Sequence, residues 1–297
     1  MPAQIIDGMA LAAALRQDVA DGVEAFLAQG GSRPGLAVVL IGDDPASHVY
    51  VASKVRQTEA VGMRSIRHDL PAGIDEGTLL ALVRKLNRDP AIHGILVQFP
   101  LPAQIDSAKI VDAIAPEKDV DGFNPLNVGR VASGAANGLV PCTPLGVMRL
   151  IRSVRDDLAG LGALVVGASN VVGRPMARLL LQAGCTVSIA HHLTTDLARR
   201  TREADILVVA TGVPGLIRGE AIKPGSIVID VGITRVALSS GKTRLVGDVV
   251  FDEAVEVAGA ITPVPGGVGP MTIAQLLANT LTAARRLRTH VGSRSCA

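Results

Sequence analysis

The segment Ala163-Leu164-Val165-Val166-Gly167-Ala168-Ser169-Asn170-Val171-Val172-Gly173-Arg174-Pro175 carries the strongest fold signal in the chain. Residues 163–166 form a short continuous apolar run, the pattern of a strand buried on both faces of a parallel sheet. Gly167 and Gly173 bracket a turn, and residues 174–183 have helical spacing. A strand that feeds such a turn and then a helix predicts a βαβ unit, whose crossover is right-handed and whose next strand is parallel. Residues 186–190, 206–210 and 226–230 supply further buried strands. The second half of the chain therefore reads as α/β with a mostly parallel sheet.

The first half shows the same alternation. Leu11, Leu15, Val19, Val23, Phe26 and Leu27 make one stripe on a helix over 9–29. Residues 35–41, Gly-Leu-Ala-Val-Val-Leu-Ile, read as a buried strand. Asp44-Pro45 reads as an N-cap followed by Pro at the first helical position, starting a helix to about residue 60. A strand over 63–68, a helix over 75–87 and a strand over 92–98 follow. Residues 116–137 break the rhythm. Rich in Gly, Asn, Asp and Pro and without a clear period, they read as a functional loop or linker. A helix over 144–154 opens the second series, which resembles a Rossmann-type unit. A last helix over 271–288 carries Ile273, Leu276, Leu277, Leu281, Ala284 and Leu287 on one side. That face needs a cover, expected from the first domain.

Composition narrows the function. The chain has 297 residues, 48% apolar but only 2% aromatic, with no Trp, four Phe and one Tyr. The core must be aliphatic, and a base-stacking surface for single strands or RNA has few residues to draw on. A charged fraction of 19% is too low for a disordered chain of this apolar content. Net charge is +2, with both signs interleaved and no basic run, so no nucleic-acid partner is predicted. Cys142, Cys185 and Cys296 make neither metal-ligand spacing nor a disulfide framework, which fits a reducing compartment. No apolar run reaches the roughly 18 residues of a membrane span. Asp7 and Asp18 interrupt the N-terminal apolar stretch, unlike a signal peptide. The expectation is a soluble cytoplasmic protein with no membrane partner and no metal.

Three places carry chemistry. Around Gly167, Ala168, Ser169 and Gly173 the backbone can approach a pyrophosphate, with a helix N-terminus facing the anion. Ser169 stands where a G-x-G-x-x-G motif has its second Gly, and an ordinary strand-to-helix turn is the alternative. The end of the next strand reads Ala190-His191-His192-Leu193-Thr194, without the acid that holds a ribose 2′-OH. A 2′-phosphate is not repelled there, so NADP is expected over NAD, although the two histidines also suit a solvated loop. On the second helix, Tyr50 and Lys54 lie four apart and share a face. A half-buried Tyr beside a surface Lys would also satisfy that spacing. Short-chain dehydrogenases use a Tyr-x-x-x-Lys pair, but after their nucleotide loop, not before it. Gln98 ends the strand Ile95-Leu96-Val97-Gln98, where ligands sit in open α/β sheets; a simple strand cap is the alternative.

Tyr50-x-x-x-Lys54, Val97-Gln98-Phe99-Pro100-Leu101-Pro102, Pro116-Glu117-Lys118-Asp119-Val120-Asp121-Gly122, Pro141-Cys142-Thr143-Pro144 and Pro263-Val264-Pro265-Gly266-Gly267-Val268-Gly269-Pro270-Met271-Thr272 occur in one order. Together they resemble the bifunctional methylenetetrahydrofolate dehydrogenase/methenyltetrahydrofolate cyclohydrolase family, the FolD type, over about residues 6–282. The resemblance implies two αβ domains around a cleft. Residues 1–140, completed by a C-terminal helix over 271–297, would bind folate, and residues 141–270 would form the Rossmann NADP domain. It implies a homodimer through the Rossmann domain. It implies NADP-dependent oxidation of 5,10-methylenetetrahydrofolate to the 5,10-methenyl cation, then hydrolysis to 10-formyltetrahydrofolate.

Residue by residue, the resemblance makes Lys54 the general acid/base and Gln98 the group that positions it. Tyr50 packs on the folate's aromatic part, Asp121 accepts hydrogen bonds from the pterin, and Val97 and Phe99 line the substrate site. Pro265, Gly266 and Gly269 form a backbone lip. Gly167, Ala168, Ser169 and Ile233 match the cofactor contacts. Many relatives carry Arg where Ala168 stands, and Ser or Arg where the 191–193 stretch stands. His192 or Arg174 is left to meet a 2′-phosphate. A rival reading is another two-domain NADP dehydrogenase resembling shikimate dehydrogenase, which leaves Tyr50-x-x-x-Lys54 and the proline-glycine segment unexplained. A catalytically silent nucleotide-binding regulator is a second rival, at odds with Lys54, Gln98 and Asp121 standing together.

Overall fold

The computed structural model describes residues 2–237 and 243–294. Cys296 lies outside them. The chain forms two compact units, one of Met1–Ala13 with Thr143–Thr272, the other of Ala14–Cys142 with Ile273–Ala297. In chain order the first elements are β1 (Gln4–Ile5), α1 (Gly8–Ala28), β2 (Gly35–Ile41), α2 (Pro45–Ala60), β3 (Arg64–Leu70), α3 (Glu76–Arg88), β4 (Gly94–Val97), α4 (Ser107–Ala113), α5 (Pro125–Ser133) and α6 (Cys142–Arg152). β2 pairs in parallel with both β3 and β4, giving the order β3-β2-β4. All seven residues of β2 are buried because both its faces are covered. Ala37, Val39 and Ile41 pack with Leu79, Val83 and Leu86 of α3 and Ile110 of α4. Leu36, Val38 and Leu40 turn the other way, onto Val51 of α2 and Val120. Asp44 caps α2 as expected, its carboxylate accepting from the Ser47 N–H at 2.8 Å, with Pro45 at the first turn.

The expected loop over 116–137 is in part helical. α5 is capped by Asn124, whose side chain accepts from the Leu126 N–H, and ends at Gly134 with φ 80°. Nine residues are too few to display a clear helical period, so only the caps announced it. The short α4 was missed for the same reason.

The second series comprises β5 (Gly162–Val166), α7 (Gly173–Gln182), β6 (Thr186–Ala190), α8 (Leu197–Thr201), β7 (Ile206–Val209), β8 (Ile227–Asp230), β9 (Thr234–Ala237), β10 (Thr243–Val246), α9 (Phe251–Ala254), β11 (Ala260–Ile261) and α10 (Val268–Arg294). The main sheet is parallel throughout, in the order β1-β11-β8-β7-β5-β6. From β5 the chain steps outward to β6, then returns to place β7 on the other side of β5. The strand order therefore reverses between β5 and β7, the place where open α/β sheets bind ligands beyond the strands' carboxyl ends. β9 and β10 add an antiparallel hairpin that the sequence reading did not foresee.

The division departs from the expected 1–140 at its start. The Gln4 N–H donates to the Gly259 carbonyl at 2.9 Å and the Ile6 N–H to the Ile261 carbonyl at 2.8 Å, so β1 becomes the far edge of the main sheet. Two residues are too short to read as a strand from periodicity. α10 starts in the Rossmann-type unit, and from Ile273 its residues group with the other. There Leu276 and Ala283 join Leu36 and Val38 in one core, the cover that the apolar face of this helix required. Among the described residues, no helix is long and apolar enough to cross a membrane.

Candidate active site and nucleotide loop

α2 places Tyr50 and Lys54 one turn apart. Lys54 is buried, only 6% exposed, which overturns the bland reading of a surface lysine. Its Nζ donates to Gln98 Oε1 at 3.0 Å. Gln98 Nε2 donates to the Phe99 carbonyl at 2.7 Å, so the amide oxygen is the end turned to the amine. The ammonium also lies 4.6 Å from the Tyr50 ring centre, in cation–π range. Gln98 stands directly after β4, whose last residue, Val97, is buried. The next peptide, Phe99-Pro100, is cis, and the Phe99 ring meets the Phe123 ring edge-on at 6.5 Å.

Burial pushes the Lys54 amine below its ordinary 10.5, while Asp121 and Cys142 oppose the shift. Burial pushes the Asp121 carboxyl up to about 6; Lys54 opposes this and Asp119 adds to it. Burial, with Asp121 and Cys142 nearby, raises Tyr50 to about 12, so its hydroxyl stays protonated. The result is an amine eased toward its neutral form, held by a neutral acceptor and coupled to one carboxylate. Such a group can take a proton and return it.

The turn that carries Asp121 is built by residues the sequence reading left without roles. The Asp119 carboxylate accepts from the N–H groups of Gly122 (3.2 Å), Phe123 (3.2 Å) and Asn124 (2.8 Å), and from Asn127 Nδ2 (2.9 Å). Asn279 of α10, 4% exposed, donates from Nδ2 to the Val120 and Val140 carbonyls, each at 2.9 Å. The Cys142 thiol donates to the same Val120 carbonyl at 3.1 Å. Gly122, at φ 78°, leaves no room for a Cβ, which would fall 2.6 Å from Pro141 N. A usable signal was present for Asn279: a polar residue inside the apolar run Leu276-Leu277-Ala278-Asn279-Thr280-Leu281.

The nucleotide loop belongs to the other unit. A Cβ on Gly167 would fall 2.2 Å from the Ala210 carbonyl, and one on Gly173 would fall 1.9 Å from the Gly167 carbonyl. The loop therefore presses against the end of β7 and the start of α7 presses against the loop, at the point where the strand order reverses. That close cradle fits a dinucleotide pyrophosphate. Ser169 Oγ accepts from the Val172 N–H at 3.1 Å, so the serine in the second glycine's place braces the turn. After β6, the His191 N–H donates to Thr194 Oγ1 at 2.9 Å and its Nδ1 accepts from the Leu193 N–H at 3.2 Å. His191 thus builds the turn, whereas His192 is exposed, as is Arg174. Ile233 is 59% exposed just past β8.

Tyr50, Lys54, Val97, Gln98, Phe99 and Asp121 fall in one unit. Ala168, Arg174, His192, Ile233, Pro265, Gly266 and Gly269 fall in the other. Gly266 has φ 108°, while a Cβ on Gly269 would meet nothing. Among the described residues no cluster of three metal-ligating side chains exists.

Two family models match. The catalytic domain of tetrahydrofolate dehydrogenase/cyclohydrolase covers residues 6–121, and the NAD(P)-binding domain of the same family covers residues 141–288. The bifunctional protein FolD 1 of Pseudomonas putida is 74% identical over 285 residues, spanning 96% of this chain and 98% of that protein. The Campylobacter jejuni bifunctional methylenetetrahydrofolate dehydrogenase/cyclohydrolase has a similar solved structure, with TM-score 0.91 and 48% identity, covering 95% of this chain and 99% of its own. A Trypanosoma brucei dehydrogenase-cyclohydrolase, solved with NADP and an inhibitor, gives TM-score 0.91 at 42% identity and covers 96% of this chain and 98% of its own.

Proposed function

Because this chain belongs to the tetrahydrofolate dehydrogenase/cyclohydrolase family, a family of bifunctional one-carbon folate enzymes, we propose that it uses NADP for its oxidation and Lys54 for its hydrolysis. The observation that carries the reading is the buried Lys54 amine, held at 3.0 Å by the Gln98 carbonyl oxygen and lowered in pKa by burial.

In the oxidation, the substrate's methylene carbon loses hydride and becomes a cation stabilised by its two folate nitrogens. The nicotinamide, when bound, supplies the hydride acceptor. The chain's own task is alignment, so no protein base is needed for this step. Asp121 accepts hydrogen bonds from the pterin and Tyr50 packs on the aromatic part. Val97 and Phe99 line the substrate site.

Hydrolysis asks more of the protein. Water attacks the methenyl carbon and must lose a proton as the C–O bond forms. Neutral Lys54 takes it. A C–N bond then breaks: Lys54-NH3⁺ returns the proton to the departing nitrogen while the carbinol hydroxyl gives up its own proton to water, leaving the formyl group on the other nitrogen with one net proton released. A cationic substrate beside Lys54 lowers its pKa further, so more of the amine is neutral and free to take a proton when the substrate is bound. Gln98 keeps the lone pair aimed while the proton moves.

NADP is favoured over NAD because residues 190–194 carry no acid that would repel a 2′-phosphate. Arg174 and His192, both exposed, are the cations offered to it. By likeness to its family the chain acts in the cytoplasm as a homodimer through its Rossmann-type unit. Following methenyl absorbance with methylenetetrahydrofolate plus NADP or NAD, in parallel, tests the cofactor. Equal or better turnover with NAD would refute the NADP assignment. Loss of methenyl absorbance without nucleotide, above the uncatalysed rate, tests the hydrolysis.

A further inference from the structure

A second pair of buried acids lies in the Rossmann-type unit, away from any role given above. Asp230 ends β8 and is 4% exposed; Asp248 follows β10 and is fully buried. Buried carboxylates are costly unless they are fully engaged, so their partners say what they do. Asp248 Oδ2 accepts from three donors: the Thr211 N–H at 2.6 Å, Thr211 Oγ1 at 2.9 Å and the Gly212 N–H at 2.9 Å. Asp230 in turn holds the backbone of Asp248. Its Oδ1 accepts from the Asp248 N–H at 3.0 Å and the Gly232 N–H at 2.9 Å, and its Oδ2 from the Val249 N–H at 2.9 Å. The Ile217 N–H donates to the Asp248 carbonyl at 3.0 Å, closing the far end of the same loop.

Two glycines exist to admit these carboxylates. A Cβ on Gly232 would fall 2.1 Å from Asp248 Oδ1, and one on Gly247 would fall 1.9 Å from Asp230 Oδ2. The segments so fixed form the lips after the carboxyl ends of β7 and β8, strands that follow β5 and its nucleotide loop in the sheet order. Thr211-Gly212 follows β7, whose end touches Gly167, and Gly232 precedes the exposed Ile233. Asp248 Oδ1 is buried and has no hydrogen-bond partner. An acid left half satisfied in the interior is poor for stability alone. Its retention points to a task in the site.

We propose that Asp248, backed by Asp230, is a positioning residue that holds the 211–213 lip in the shape that receives the dinucleotide. The inference rests on the NAD(P)-binding reading of this unit and deepens it. Asp248→Asn replaces a charged acceptor of three donors with a neutral amide, and Thr211→Val removes one donor without touching the acids. Thr211→Ser restores that donor.

The test measures binding of NADPH and of NADH to the purified full chain by calorimetry, together with methenyl hydrolysis in the absence of nucleotide. Asp248→Asn is expected to weaken nucleotide binding about tenfold and Thr211→Val about threefold, as lost charge-assisted and neutral hydrogen bonds would. Thr211→Ser is expected to bind like the parent, with hydrolysis in all three within about twofold. Unchanged nucleotide affinity in both Asp248→Asn and Thr211→Val overturns the proposal. So does a parallel loss of binding and hydrolysis, which would mark the acids as merely structural. If Asp248→Asn does not fold, the Thr211 pair decides. A parent that prefers NADH would correct the cofactor assignment, and the variants would then be read on NADH.

Discussion

Removing the Asn279 side chain should loosen the turn that carries Asp121. Asn279 Nδ2 donates to the Val120 and Val140 carbonyls, and its Oδ1 accepts from Gln275 Nε2 at 3.1 Å. In Asn279→Ala two carbonyls lose a donor and a small void opens beside Leu276 and Ala283. A buried acceptor left unpaired costs about 1–3 kcal/mol. Val120 keeps the Cys142 thiol as a partner and Val140 is half-buried, so both sit at the low end. The sum is about 2–3 kcal/mol. Tyr50 is the only tyrosine and there is no Trp, so tyrosine emission during urea unfolding reports on this unit. The variant should unfold at lower urea by that free energy. It should also hydrolyse methenyltetrahydrofolate about ten- to a hundredfold more slowly, since Val120 adjoins Asp121 and small misplacements are expensive. A variant within about 0.5 kcal/mol of the parent, with parental hydrolysis, would refute the assignment of Asn279 as a clamp.

His93 gives a pH prediction. It is buried, its Nδ1 accepts from the Gly35 N–H at 3.0 Å, and burial, Lys118 and Arg64 hold its pKa below 6.5. The unfolded chain then binds the proton more readily, so the stability is present above pH 6.5 and is lost as pH falls toward the folded-state pKa. Urea midpoints of the parent should drop from pH 7.5 to 5.5 more than those of His93→Asn, whose side chain does not titrate in this range; equal slopes would exonerate His93. Among the glycines, Gly173→Ala should weaken dinucleotide binding at least tenfold, because its Cβ would fall 1.9 Å from the Gly167 carbonyl. Gly269→Ala, with nothing near its Cβ, should melt at or above the parent temperature. Binding isotherms and thermal melts check the pair, and a reversed order would contradict the cradle.

How far the sequence could be read depended on length and on partners. β2 and β5 were plain, since a strand covered on both faces is apolar throughout. α3 was plain because Leu79, Val83 and Leu86 repeat on one side. β1, α4 and α5 were missed because two, seven and nine residues do not establish a period. The proposed active-site residues Tyr50, Lys54, Gln98 and Asp121 could be nominated from spacing, strand ends and family motifs. The side chains behind them could not. Asn279 is 159 residues from the Val120 it clamps, and only the fold brings them together. Asp230 and Asp248 likewise meet through a hairpin that no periodicity announced.

The central claim is that the Lys54 amine moves the protons of hydrolysis, and Lys54→Met tests it most directly. Methionine keeps the length and apolar packing of the side chain and removes only the titrating nitrogen. Methenyltetrahydrofolate hydrolysis, followed by loss of absorbance, should fall by about 10²–10⁴, the usual contribution of a positioned acid/base. Folate binding, measured in the same preparation, should stay within a few-fold. A Lys54→Met enzyme that hydrolyses at the parent rate would contradict the account and move the proton transfer to another group.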